Sequence, residues 1–277
     1  MDSPRRILQS RGLRPKHSWG QNFLADEQAV AAIAAAVQLS SGETVVELGA
    51  GLGHLTRALL DTGAQVVAVE RDRDLIEPLS SVGGERLRVV AANAADVRFA
   101  ALAGTRPVAV VGNLPYQLTS PILFQVLEQH ADLSRAVFTV QREVAERVAA
   151  AEGTRASGLL TILLGLWFDT ELLFTLEPGS FHPPPAVDSA VLRLVARSTP
   201  RAEVADEAHF RRVVKAAFAQ RRKTLQNSLQ SDRSLGTAAS VRAALASARI
   251  DPTRRAETLG VADFGRLSEA LRAAARP

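Results

Sequence analysis

Residues 112–121 read GNLPYQLTSP and follow the apolar run PVAVV, which ends at Val111. Within four residues, Asn113 to Tyr116, the chain brings together a carboxamide, a proline and its only tyrosine. An exocyclic amine has two hydrogens to donate and a lone pair delocalised into its ring. The side-chain oxygen of Asn113 and the carbonyl of Leu114 can accept those hydrogens, drawing the nitrogen toward tetrahedral geometry and freeing its lone pair for attack. Pro115 lacks an N–H and biases Leu114 away from the α region, which holds the Leu114 carbonyl outward. The Tyr116 ring can stack on a base, worth roughly 1–3 kcal/mol. An isolated Asn-x-Pro segment also reads as a turn that merely ends a strand, so the chemical reading needs a second element.

That element is ELGAGLGHLT, residues 47–56. Glycines at 49, 51 and 53 let the backbone come close to a ligand, and Glu70 follows at the end of the next apolar run, where a carboxylate can accept bonds from two ribose hydroxyls. The spacing is GxGxG followed by His54, so the third glycine of a dinucleotide fingerprint is missing. The loop resembles the S-adenosylmethionine sites of Rossmann-like methyltransferases, whose cofactor has no pyrophosphate to seat. A dinucleotide site and a tight structural turn remain the alternatives on this loop alone.

The elements that must position these residues follow from hydrophobic pattern. Residues 44–48, 65–70, 87–92, 107–113 and 136–141 are β-branched or apolar runs that read as buried strands, alternating with helical segments at 28–37, 54–62, 72–81, 121–130 and 143–151. Such alternation predicts βαβ units and a mostly parallel sheet with helices on both faces. LLFTLEPGSF and SAVLRLV add two further strands close in sequence, which makes a seven-stranded sheet with an antiparallel edge. On a doubly wound sheet a ligand binds beyond the carboxyl ends of the strands, so Asn113 and the glycine loop share one rim. From Ala196 the character changes: RSTPRAEVAD reads as a linker, and 208–229 and 238–276 are helical by pattern. The expected organisation is a basic arm, 1–24, an α/β domain, 25–197, and a small all-helical domain, 198–277.

Composition narrows the function classes. The chain of 277 residues contains no cysteine, which excludes disulfides and thiolate metal sites, and its five histidines form no HxxxH pair, so no metal is expected. No run of eighteen apolar residues suggests a membrane span, and a soluble cytoplasmic protein is the simplest reading. The net charge of +4 divides into +4 over residues 1–24, −7 over 25–200 and +7 over 201–277. Basic margins around an acidic body suit a catalytic domain flanked by polyanion contacts, and equally a solvated arginine-rich surface.

With KHSWGQNFL (16–24), ELGAGLGHLT, GNLPY, VQREVAERV (140–148), FHPPPAVDSAVLRL (181–194) and AFAQRRKTLQNSL (217–229) in this order, the chain resembles the ribosomal RNA adenine N6,N6-dimethyltransferases, specifically their small-subunit (16S) branch. The resemblance runs almost end to end. It implies S-adenosylmethionine as cofactor, with contacts from Asn22, Leu24, Gly49, Gly51, Glu70 and Asn113. It implies a target-amine motif of Asn113, Leu114, Pro115 and Tyr116, with Phe181 opposite Tyr116 so that the two rings sandwich a flipped adenine. Many family members carry an acid after the third strand that bonds the cofactor's adenine; here the aligned position is Asn93, with Asp96 as its rival. The resemblance further implies that the arm closes over the cofactor, that 25–197 is the methyltransferase domain and that 198–277 binds RNA, with Arg221, Arg222 and Lys223 of a basic helix as contacts.

The implied reaction is N6,N6-dimethylation of two adjacent adenosines near the 3′ end of 16S rRNA, on a pre-assembled small subunit and by a monomer. Leu114 and QRRKTLQNSL favour this branch over the sister group that methylates 23S rRNA and confers macrolide resistance. A non-catalytic assembly factor and a nicotinamide-dependent dehydrogenase are the readings from other classes.

Overall fold

The computed structural model describes residues 1–220 and 222–274. Arg221, one of the expected RNA contacts, lies outside them. In chain order the strands are β1 (Phe23–Leu24), β2 (Thr44–Leu48), β3 (Gln65–Glu70), β4 (Leu87–Ala91), β5 (Val108–Asn113), β6 (Leu133–Gln141), β7 (Phe168–Leu176), β8 (Phe181–His182) and β9 (Ser189–Ala196). Seven of them form a sheet in the order β4-β3-β2-β5-β6-β9-β7. The pairs from β4 to β6 are parallel, and β9 runs antiparallel to β6.

The central strands read as continuous apolar runs because helices cover both of their faces. Val45, Val46 and Leu48 in β2 and Val108 to Val111 in β5 are wholly buried, whereas β4 at the edge leaves Arg88 exposed. The helix Glu27–Val37 starts where Asp26 accepts bonds from the N–H groups of Gln28 (2.8 Å) and Ala29 (3.2 Å). It buries Ala29, Val30, Ile33, Ala34 and Val37, a stripe at helical spacing that faces the core.

Strand order reverses between β2 and β5, which is the switch point where a doubly wound sheet opens a crevice. Three chain segments leave their strands around this crevice: the glycine loop after β2, Glu70 at the end of β3 and Asn113 at the end of β5. Gly112 permits the close approach of β5 to β2. A Cβ at this position would lie 2.5 Å from the Leu48 carbonyl oxygen.

The N-terminal arm is structured. Ser3 caps a helix, Pro4–Ser10, whose Leu8 packs with Phe23, Leu52 and Leu75 in a small separate core. Beyond it, β1 pairs antiparallel with β8, Phe23 opposite His182 and Leu24 opposite Phe181. Neither two-residue strand is long enough to show a period, and the sequence reading did not include them.

The chain forms two compact units. One comprises Met1–Ala145 and Glu171–Ala196; the other comprises Glu146–Thr170 and the chain from Arg197 on. The segment Glu146–Thr170 falls inside the span 25–197 that the sequence suggests as one domain. Its helix Leu159–Gly165 buries Ile162, Leu163 and Leu164 and packs with the helices Glu207–Phe218 and Val261–Ala274, which gives an otherwise exposed apolar run its partners. The helical stretch expected over 208–229 is divided: Glu207–Phe218 ends, and a new helix, Leu225–Gln230, starts where Thr224 caps the Asn227 N–H. Arg222 and Lys223 therefore sit exposed in a turn and not on the helix expected there.

Candidate active site

At the switch point a cavity open to solvent is lined by residues of the arm, the glycine loop, β3, β5 and the Asn-Leu-Pro-Tyr segment. Of the expected site residues, Asn22, Leu24, Gly49, Gly51, Glu70, Asn113, Leu114, Pro115, Tyr116 and Phe181 all border it.

The glycine loop turns sharply after Leu48. Gly49 and Gly51 have φ of +71° and +57°, a left-handed region that side chains other than glycine rarely adopt. A Cβ on Gly51 would also press on the Phe23 ring at 3.1 Å, so loop and arm touch without room for a methyl. The turn is closed from β3: Glu70 accepts the Gly51 N–H at 2.8 Å with one carboxylate oxygen and the Asp72 N–H at 2.7 Å with the other. Burial raises the Glu70 pKa above its ordinary value in spite of these bonds.

A second carboxyl lies beside it, one that sequence reasoning did not single out. Glu47 is 1 % exposed and accepts a bond from the Thr56 hydroxyl at 2.6 Å. Burial, reinforced by the nearby Glu70 charge, pushes its pKa up to about 8. With its pKa raised to about 8, Glu47 is protonated near neutral pH and adds no charge to the wall. Glu70 as an acceptor beside a loop free of side chains fits the nucleoside part of S-adenosylmethionine, in agreement with the glycine spacing.

The arm forms the facing wall. Lys16 bonds Asp72 at 2.5 Å and Asp74 at 2.7 Å, and Gln21 donates to the other Asp72 oxygen at 2.7 Å. Burial alone would raise the Asp72 pKa, but the bonds from Lys16, Gln21 and the Asp74 N–H outweigh it and hold it below the ordinary carboxylate value. Between these anchors the Trp19 ring is flanked by the Lys16 ammonium at 4.8 Å and the Arg71 guanidinium at 4.0 Å. Gln21 lies within KHSWGQNFL and Asp72 in none of the quoted motifs, and neither is among the expected site residues.

At the end of β5, Asn113 donates its side-chain N–H to the Asn22 carbonyl at 2.8 Å. The Leu114 N–H donates to the Thr139 carbonyl at 3.1 Å, and Leu118 N–H closes a short turn on the Pro115 carbonyl at 2.8 Å. Tyr116 begins that turn, and burial raises the pKa of its phenol. In the loop after β4, Asn93 donates to Asp96 at 2.8 Å, and it is Ala92 and Ala94 that reach the cavity wall. That loop is held from below: the side-chain amides of Gln125 and Gln129 both donate to the Val97 carbonyl, at 2.5 and 3.1 Å. Among the described residues no group of acids and histidines could hold a metal ion, and no helix is long and apolar enough to cross a membrane.

Comparison with known proteins agrees with this geometry. The family model described as "Ribosomal RNA adenine dimethylase" matches residues 12–273. The "Ribosomal RNA small subunit methyltransferase A" of Myxococcus xanthus is 60% identical over 271 residues, covering 98% of this chain and 96% of that protein. The protein of the same name from Geobacter sulfurreducens is 41% identical, with 95% and 97% covered. Among solved structures, the 23S rRNA methyltransferase ErmE superposes with a TM-score of 0.70 at 30% identity over 91% of this chain and all of that one. A dimethyladenosine transferase from Plasmodium falciparum shares the fold at a TM-score of 0.74 and 22% identity, with 91% and 98% covered. The chain belongs to the ribosomal RNA adenine dimethylase family.

Proposed function

We propose that this chain dimethylates two adjacent adenosines near the 3′ end of 16S rRNA at N6, acting as a cytoplasmic monomer on a pre-assembled small subunit. The enzyme is an S-adenosylmethionine-dependent rRNA adenine-N6,N6-dimethyltransferase that acts during small-subunit maturation. The 60% identity to a small-subunit enzyme over nearly the whole chain favours this branch over the 23S-directed one, whose ErmE representative is 30% identical.

The observation that carries the residue assignment is the Asn113 bond to Asn22. It commits the amide nitrogen and leaves Asn113 Oδ1 as an acceptor at the cavity rim. Asn113 Oδ1 and the Leu114 carbonyl receive the two hydrogens of the adenine amine, and Tyr116 and Phe181 enclose the base. Gly49 and Gly51 admit the cofactor's backbone-facing side, Asn22 and Leu24 cover it from the arm, and Glu70 uses its remaining lone pairs for the ribose hydroxyls. Asn93 accepts a bond from the cofactor's adenine amino group, with Asp96, to which it is hydrogen-bonded, as the rival for that contact.

When bound, S-adenosylmethionine supplies an electrophilic methyl group that the nitrogen attacks in line. The protein's part is alignment, and holding two reactants in register accounts for a large share of such a rate enhancement. Burial keeps the Tyr116 phenol protonated, so the proton lost from nitrogen passes to water and not to this ring. Exposed Arg222 and Lys223 contact rRNA phosphates.

Small subunits from a strain lacking the modification, incubated with the protein and labelled cofactor, test the proposal. Mass spectrometry of digested rRNA should show N6,N6-dimethyladenosine in 16S fragments. Unmodified 16S rRNA from a protein that binds the cofactor overturns it.

A further inference from the structure

The Tyr116 hydroxyl does not face an empty cavity. It shares a hydrogen bond of 2.7 Å with the hydroxyl of Ser189, either group being able to donate. Ser189 is the first residue of β9, lies opposite Gln141 in β6 and is fully buried. Its position is therefore set by the sheet. Tyr116, in contrast, is half-buried and opens a single short turn beyond β5. The ring turns about χ1 and χ2. Its hydroxyl oxygen lies on the Cβ–Cγ axis, so a bond there fixes χ1 and the place of the ring, and orients χ2 only through the preference of a phenolic O–H for the ring plane.

We propose that Ser189 is a positioning residue for the target base: it anchors the Tyr116 hydroxyl and thereby holds the ring in place at the cavity, where its face can stack on the base. The inference rests on reading Tyr116 as a stacking platform. The Asn-Leu-Pro-Tyr segment is then fixed to the antiparallel pair β6 and β9 at two points, Leu114 N–H on the Thr139 carbonyl and Tyr116 on Ser189. Phe181 and Ser189 stand at opposite ends of the segment 181–189, and β8 and β9 hold those ends. One loop thus carries one aromatic wall of the cavity and the anchor of the other.

The chain's single tyrosine makes the test selective, since a 13Cζ-tyrosine label reports Tyr116 alone. Ser189→Ala should move that resonance in the enzyme without substrate. Ser189→Ala and Tyr116→Phe should each slow single-turnover methyl transfer roughly three- to tenfold, the range for one neutral hydrogen bond, with cofactor affinity unchanged. Because they remove the same bond, the double variant should be no slower than the slower single one. An unmoved resonance, or losses that multiply in the double variant, overturns the proposal. If Ser189→Ala does not fold, Tyr116→Phe at wild-type rate is sufficient to overturn it. Tyr116→Ala separates the two levels. Its transfer at wild-type rate sinks the platform reading itself, whereas its loss beside normal Tyr116→Phe and Ser189→Ala sinks only the anchor.

Discussion

The side-chain amide of Asn113 and the main-chain carbonyl of Asn22 meet at 2.8 Å, across ninety-one positions of sequence. The bond joins the Asn-Leu-Pro-Tyr segment to the N-terminal arm and also decides which way the amide points. Asn113→Ala removes both the acceptor and the clasp. Methyl transfer should fall at least about a hundredfold, as for loss of a catalytic polar contact. The cofactor Kd should rise less than tenfold, because the clasp is one neutral hydrogen bond worth about 1 kcal/mol. Turnover near normal in a quench-flow assay would remove Asn113 from the chemistry.

Asp72 is the second attachment of the arm. Its nearly buried carboxylate takes bonds from both Lys16 and Gln21, so Asp72→Asn leaves Lys16 without its main partner. Cofactor Kd should rise about tenfold. In a Trp167→Phe background, Trp19 emission should shift to the red as the ring leaves its position between Lys16 and Arg71. Unchanged emission together with unchanged Kd would show that the arm is held elsewhere.

Glu47 sets a pH dependence. Its folded pKa, about 8, lies above the ordinary 4.5, so the folded state holds this proton more tightly than the unfolded one. The associated stability is fully present below pH 4.5 and is lost as pH rises toward 8. Calorimetry of the cofactor-free protein should show wild type losing Tm between pH 5.5 and about 8.5 relative to Glu47→Gln, which keeps an acceptor for Thr56. Parallel curves for the two proteins would contradict the assignment.

Gly112→Ala tests the approach of β5 to β2. The Leu48 carbonyl is backbone, so a Cβ 2.5 Å away forces the strands apart. Overpacking of this kind costs about 1–3 kcal/mol. Chemical denaturation should register that loss, and transfer should drop with it because Asn113 is the next residue. Wild-type stability in this variant would mean that the strand ends adjust freely.

Arg222 and Lys223, proposed as phosphate contacts, predict a salt signature. Replacing either with Ala should lower the slope of log affinity for rRNA against log salt by about 1, without changing cofactor Kd. An unchanged slope places RNA contact on other cations.

The sheet was legible because Val-rich strands and amphipathic helices alternate with clear periods, and Asn113, Gly49 and Glu70 fell on one rim by a general rule of such sheets. The rest depended on partners far apart in sequence. Ser189, Asp72 and Gln21 have ordinary residue types, and only the fold brings Ser189 to Tyr116 or Asp72 to Lys16. Glu47 stood inside the quoted glycine motif, yet its raised pKa comes from total burial next to Glu70, which a linear pattern does not display. The turn at 222–223 was read as helix because Gln, Arg and Lys are good helix formers, and the cap at Thr224 prevailed over propensity.

The pairing of β1 with β8 also bears on how the protein is made. Phe23 and Leu24 emerge early in synthesis, but their partners Phe181 and His182 are translated only after most of the sheet. A nascent chain therefore carries β1 unpaired until β8 has been translated. The part of the cavity wall that β1 supplies gains its strand partner only once β8 has been made, so the site takes its full shape after that point and not before.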